Sequence, residues 1–168
     1  LEGGCGSGAT AACFLSFCES KVDYELEYIG VDLSDIRVAS AKKFIPKLNR
    51  GLSYLIKDTF EVGDLTSLPY KRKYFDTTLV PSVLERVDNT QIQSLIEEIC
   101  RVTNRYIFIS DFYDQYPMGW PRSPRVLNKI FAQFGFHFID EDYGYTKSPG
   151  TYWEIHLLSD LLPQASRD

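Results

Sequence analysis

Leu1-Glu2-Gly3-Gly4-Cys5-Gly6-Ser7-Gly8-Ala9 (LEGGCGSGA) opens the sequence, and the reading of this stretch decides the fold. Four of its nine residues are glycine, and one carboxylate, Glu2, stands just ahead of the glycine run. Glycine lets a backbone adopt left-handed conformations and approach a ligand closely. From its last residue on, ATAACFLSFCE (9–19) reads as a helix that is small on one side and apolar on the other. Leu1–Gly3 then reads as the tail of a strand and Gly4–Gly8 as the turn into the helix, whose first N–H groups lack partners within the helix. Two spacings coexist in the stretch. Gly4, Gly6 and Ala9 satisfy G-x-G-x-x-G/A, a dinucleotide fingerprint. Glu2, Gly4, Gly6 and Gly8 satisfy E/D-x-G-x-G-x-G.

Outward from this turn the elements alternate. Tyr28–Asp32 (YIGVD) is an apolar strand ending in an acid. Ser34 is placed to cap a helix running to about Phe44, with Pro46 marking its end. Phe60–Gly63 is a third strand followed by Asp64, and Gly51–Lys57 is ambiguous. Tyr74–Val80 is a fourth strand. Asp88 or Asn89 is placed to cap a helix over Thr90–Val102, and Tyr106–Asp111 is an apolar fifth strand. A proline-broken loop, Tyr113–Pro124, leads to a helix over Arg125–Phe134 that Gly135 ends. Two last strands, Phe136–Asp142 and Tyr152–Leu158, are joined without a helix and are expected to pair antiparallel. Strand–helix alternation predicts an α/β fold: a three-layer, doubly wound Rossmann-like sheet, mostly parallel, with an antiparallel strand at the C-terminal edge. No repeat or linker divides the 168 residues, so one domain is expected.

The net charge of −5 argues against an extended nucleic-acid surface, which needs a basic face to meet phosphates. No stretch approaches the ~18 apolar residues of a membrane span. The four cysteines form no C-x-x-C and only two histidines are present, which disfavours structural zinc. A reduced, cytoplasmic setting is the expectation. The sequence assigns no oligomeric state.

Four segments, taken in order, resemble the motifs of class I S-adenosylmethionine (SAM) dependent methyltransferases. LEGGCGSGA is similar to their first motif, and YIGVDLS (28–34) to the second. VGDLTSLPY (62–70) is similar to the third, and YFDTTLVPSVLERVDN (74–89) to the fourth strand and its exit. The likeness covers nearly the whole chain and extends to the helix-free pair of last strands. Two positions depart from the pattern. Arg86 stands where many relatives have histidine, and Leu1 stands where the first strand should already be several residues long, so further chain is expected upstream.

The resemblance implies SAM as cofactor and assigns roles. Gly4, Cys5 and Gly6 would bring the backbone against the methionine and ribose portions, and Gly8 would let the helix pack tightly on its strand. Glu2 would sit beneath the loop, either bracing it or reaching the methionine ammonium through water. Asp32, with two acceptor oxygens, would take the ribose hydroxyls; the same geometry serves NAD, so Asp32 does not discriminate. Asp64 would accept from the adenine amino group beside the Leu65 N–H, and Leu33 and Leu65 would sandwich the base. Pro81 would lie beside the reacting methyl.

The acceptor is less well marked. VPSV (80–83) lacks the N/D-P-P-Y/F of base-amino methylation, and no Pro-Cys nucleophile is present. No metal is expected, since only Asp111 and Asp114 are suitably placed acids. A small-molecule methyl acceptor is the expected partner, met by Ser82, Tyr113, Tyr116 and Trp120. Glu85, Asp111 and Tyr113 are candidate bases, and no single one is assigned. Two other readings stay open: a non-catalytic binding or scaffold module on the same fold, and an NAD-dependent oxidoreductase.

Overall fold

The computed structural model describes residues 1–18, 26–48, 55–113, 124–145 and 151–159. They form two compact units, Leu1–Leu65 and Thr66–Asp168.

The first unit is a β-α-β-α-β run: β1 (Glu2–Gly3), α1 (Ala9–Cys18), β2 (Leu26–Asp32), α2 (Asp35–Leu48) and β3 (Leu55–Val62). β2 pairs in parallel with β1, Glu2 opposite Gly30, and with β3, Asp32 opposite Val62. Parallel pairing brings the carboxyl ends of the three strands to one edge, and the glycine turn, Asp32 and Asp64 leave from that edge. The core beneath joins Cys5, Ala11 and Leu15 to Tyr28, Val38, Ala41, Ile45 and Phe60. Glycine makes the close approaches possible. A Cβ on Gly30 would stand 2.7 Å from Phe60 Cδ1 and 2.8 Å from Cys5 Cβ, while one on Gly8 would stand 2.6 Å from Ile45 Cγ1.

The second unit carries β4 (Phe75–Pro81), a single 3₁₀ turn (Leu84–Arg86), α3 (Ile92–Val102), β5 (Thr103–Tyr113), α4 (Pro124–Gln133), β6 (Phe136–Tyr145) and β7 (Thr151–Ser159). α3 buries Ile92, Leu95, Ile96 and Ile99, the i, i+3, i+4, i+7 stripe of a helix lying on a sheet. β4 and β5 pair in parallel. β7 pairs antiparallel with both β5 and β6. The last two strands therefore meet as expected, with β7 inserted between β5 and the outermost strand β6. The fold is the mostly parallel, helix-flanked, Rossmann-like α/β class.

An arginine clamp fastens the loop before β4 to α3. Arg101 donates from Nε and Nη2 to Glu98 at 2.6 and 2.8 Å, from Nη1 to the Tyr70 carbonyl at 2.7 Å and from Nη2 to the Leu68 carbonyl at 3.1 Å. The Leu68 N–H donates to Glu98 Oε1 at 2.6 Å. The guanidinium beside Glu98 holds its carboxyl below the ordinary range.

Two local expectations are corrected. α2 continues through Pro46 to Leu48. Proline removes one N–H, and so late in the helix few hydrogen bonds depend on it. Neither Asp88 nor Asn89 caps α3, which starts at Ile92 after Gln91 with no side-chain cap. Asp88 Oδ1 instead accepts from the Thr90 N–H at 2.8 Å and the Thr90 hydroxyl at 2.7 Å, a local turn that competes with capping. The ambiguous stretch before the third strand resolves in part: β3 starts at Leu55.

Candidate functional site

The glycine turn is held by backbone bonds that leave its outer side open. The Gly4 and Cys5 N–H groups both donate to the Val31 carbonyl, at 2.7 and 3.0 Å, and the Gly8 N–H donates to the Cys5 carbonyl at 2.9 Å. Gly4, Gly6 and Gly8 have φ of 73°, 52° and 89°, the region that favours glycine. A Cβ on Gly8 would strike Ile45, whereas one on Gly6 would meet nothing within 4 Å. Gly6 therefore faces open space, a cradle of the kind a ligand fills. Cys5 contributes backbone only. Its side chain is buried in the core, and burial pushes its thiol up to about 12.

Asp32 closes onto this turn. Its Oδ2 accepts from the Gly6 N–H at 2.9 Å and its Oδ1 from the Ser34 N–H at 2.8 Å. Two backbone donors fix the carboxylate in place, and each oxygen keeps a lone pair for a further donor. Leu33 is 73 % exposed and Ile36 79 %, and Val62, the register partner of Asp32, is exposed as well. Asp64 is exposed one residue beyond Gly63, whose N–H donates to the Asp32 carbonyl at 3.0 Å. Leu65 lies differently from Leu33. It is buried, and its side chain covers Gly3.

Glu2 lies inside the unit, 1 % exposed. Its Oε2 accepts a hydrogen bond from the Tyr28 hydroxyl, and Thr10 supplies a second side-chain hydrogen bond. Burial pushes the carboxyl up to about 7. The two hydrogen bonds restrain that rise and the nearby charge of Asp32 adds to it. Burial and the Glu2 charge push the Tyr28 hydroxyl well above its ordinary range. Tyr28 and Thr10 were not legible as partners of Glu2. Tyr28 follows 26 residues later on another strand, and no spacing rule links the two.

The second unit holds its own candidate residues at the carboxyl ends of β4 and β5. Pro81 ends β4 opposite Ser110. Ser82 follows with φ 52°, a strained value for a residue with a Cβ, and its N–H donates to the Ser110 carbonyl at 2.6 Å. The Glu85 N–H donates to Oδ2 of the buried Asp111 at 3.2 Å. Tyr113 ends β5 with its backbone opposite Thr151. Tyr116 and Trp120 lie outside the described residues.

A family model described as a methyltransferase domain matches residues 1–106 of the 168, and the chain belongs to that family, whose cofactor is S-adenosyl-L-methionine. No curated protein matches the chain in sequence. Solved structures share the fold at low identity. Magnesium protoporphyrin IX methyltransferase from Synechocystis PCC 6803, with SAM bound, is 19 % identical with a TM-score of 0.70, over 94 % of this chain and 68 % of that one. A SAM-dependent methyltransferase from Methanosarcina mazei is 16 % identical with a TM-score of 0.71, over 94 % and 90 %. A [4+2]-cyclase is 18 % identical with a TM-score of 0.72, over 94 % and 73 %. Among the described residues, no helix is long and apolar enough to cross a membrane.

Proposed function

We propose that the chain transfers the methyl group of SAM to a small-molecule acceptor. The observation that carries this reading is the pairing of an open Gly6, at φ 52°, with a carboxylate that two backbone N–H groups hold ready beside it. The Gly4–Gly8 turn would line the methionine and ribose portions of the cofactor. Asp32 would accept the ribose hydroxyls with its remaining lone pairs. Asp64 and the Leu65 N–H would meet the adenine edge, and the exposed Leu33, Ile36 and Val62 would supply apolar surface for its ring. Glu2 serves as a positioning residue, since Tyr28 and Thr10 take up its carboxyl beneath the turn.

Bound SAM supplies a methyl already activated on a sulfonium. The chain's own task is alignment and exclusion of water, and proximity alone is worth ~7–11 kcal/mol. Ser82 and Glu85, which leave β4 at its carboxyl end, would meet the acceptor. The mild acidity of the chain favours a small acceptor over a phosphate backbone.

The fold alone does not fix the chemistry, since a [4+2]-cyclase is built on it too. The test is transfer of labelled methyl from SAM into a cell extract fractionated by size. Label in the low-mass fraction is expected. Label in protein or nucleic acid would overturn the acceptor class, and no label despite firm binding of S-adenosylhomocysteine would reduce the protein to a binding module.

A further inference from the structure

Glu85 sits in the single turn that follows β4, and its side chain is only 8 % exposed. One carboxyl oxygen, Oε1, lies 3.2 Å from Arg86 Nε. The other, Oε2, is buried and has no hydrogen-bond partner among the described residues. An orphaned buried polar atom is destabilising, and native structures retain few of them. The neighbourhood is strained in the same few residues. Ser82, three positions earlier, has φ 52° without being glycine. The backbone N–H of Glu85 is caught by the carboxylate of Asp111 from the end of β5. Unsatisfied polar groups and positive-φ residues kept together mark places where structure is held for a ligand.

We propose that Glu85 Oε2 is the acceptor-recognition group of this methyltransferase and that the acceptor is a small molecule held by a protonated amine, while a second, unprotonated nitrogen or oxygen of the same molecule supplies the lone pair that forms the new bond to the methyl as the methyl–sulfur bond breaks and S-adenosylhomocysteine leaves. This rests on the functional reading above and adds the substrate class to it. The chemistry follows from what the site lacks. A carboxylate oxygen only accepts, so its missing partner is a donor. The cation beside Glu85, Arg86, is 62 % exposed and engages the other oxygen, so it is screened by water. A cationic N–H donor supplies both the hydrogen bond and the compensating charge, and charge-assisted hydrogen bonds of this kind are the strong ones. A neutral hydroxyl supplies only the first. Glu85 as a whole residue is half-buried, so its carboxyl lies just under the surface of the turn.

The test uses the wild-type chain, Glu85→Gln and Glu85→Met. Binding of S-adenosylhomocysteine by calorimetry is expected to agree within about twofold among the three, because Glu85 has no part in holding the cofactor. Labelled SAM is then supplied with two defined panels, one of small molecules that carry an amine beside a second amine or a hydroxyl, and one of phenols and alcohols without an amine. Label is expected in members of the amine panel. Glu85→Gln should raise KM for those amines at least about tenfold while changing kcat less, since the charge-assisted bond acts in binding. The third measurement needs no acceptor. Glu85→Met removes the orphaned oxygen at similar volume and should raise the melting temperature of the ligand-free protein by a few degrees. Label confined to phenols and alcohols, label in neither panel, an amine KM unmoved in Glu85→Gln, or a melting temperature that falls in Glu85→Met would each overturn the proposal. Failure of the wild type to bind S-adenosylhomocysteine would instead overturn the functional reading on which it rests.

Discussion

Replacing Gly8 by alanine tests how the glycine turn is built, and the structure sets the size of the effect. Gly8 has φ 89°, where a residue with a Cβ is strained by about 1–2 kcal/mol. The new methyl would also stand 2.6 Å from Ile45 Cγ1, 2.7 Å from Ile45 Cδ1 and 3.4 Å from Ala41 Cβ. Ile45 is fully buried in α2, so overpacking adds about 1–3 kcal/mol. Gly8→Ala should therefore lose about 2–5 kcal/mol, a large share of the stability of a domain this size. Urea unfolding followed by circular dichroism measures it, and the midpoint should fall with little change in slope. Ile45→Ala alone should lose about 2–5 kcal/mol by leaving a cavity. The double variant should lose less than the sum by about 1–3 kcal/mol, because the alanine methyl enters the space that Ile45 vacates. A Gly8→Ala variant within about 0.5 kcal/mol of wild type, or a cycle that is simply additive, would refute this account of the turn.

Two further predictions concern the buried acids. The folded-state value of Glu2, about 7, lies above its ordinary 4.5, so the folded chain holds a proton that the unfolded chain releases. Its contribution is fully present below about pH 4.5 and is lost as pH rises through about 7, a difference of about 3 kcal/mol. Glu2→Gln keeps an acceptor for Tyr28, and its stability relative to wild type should increase between pH 5 and pH 8 in urea midpoints; a constant difference would show that Glu2 does not titrate there. Glu98 has the opposite sign, held low by Arg101, so its contribution is present above the ordinary carboxylate range and lost as pH falls through its folded value. Arg101→Met should lose about 1–3 kcal/mol at neutral pH with its charged hydrogen bonds, and less at acid pH. An unchanged melting curve would mean that the clamp contributes nothing.

Much of this was legible in residue order. Alternation of strands and helices, the glycine spacing and the acids at the ends of β2 and β3 are local signals, and they placed the elements and singled out Gly6 and Asp32; that the Gly6 N–H donates to Asp32 was not legible. The misses are tertiary. Leu55–Asp58 mixes apolar and charged residues without a clear period, and its strand character comes from pairing with β2. Asp88 is as good a cap as a turn former on sequence grounds, and only the backbone path chooses. That two strands without a helix between them pair antiparallel is readable; that β7 enters between β5 and β6 is not. Burial decided the remaining site residues. Leu33 and Leu65 look equivalent in sequence, yet one is exposed and the other covers Gly3. Glu2 was placed beneath the loop, and its burial as a partner of Tyr28 came only with the structure.

The central claim is that Asp32 and the glycine turn hold SAM, and calorimetric titration with SAM tests it most directly. Wild type should bind SAM and not NAD. Asp32→Ala should remain folded and bind about 1–3 kcal/mol more weakly, roughly fivefold to 150-fold, through the lost ribose hydrogen bonds. Binding of NAD alone, or equal SAM affinity in wild type and folded Asp32→Ala, would contradict the account.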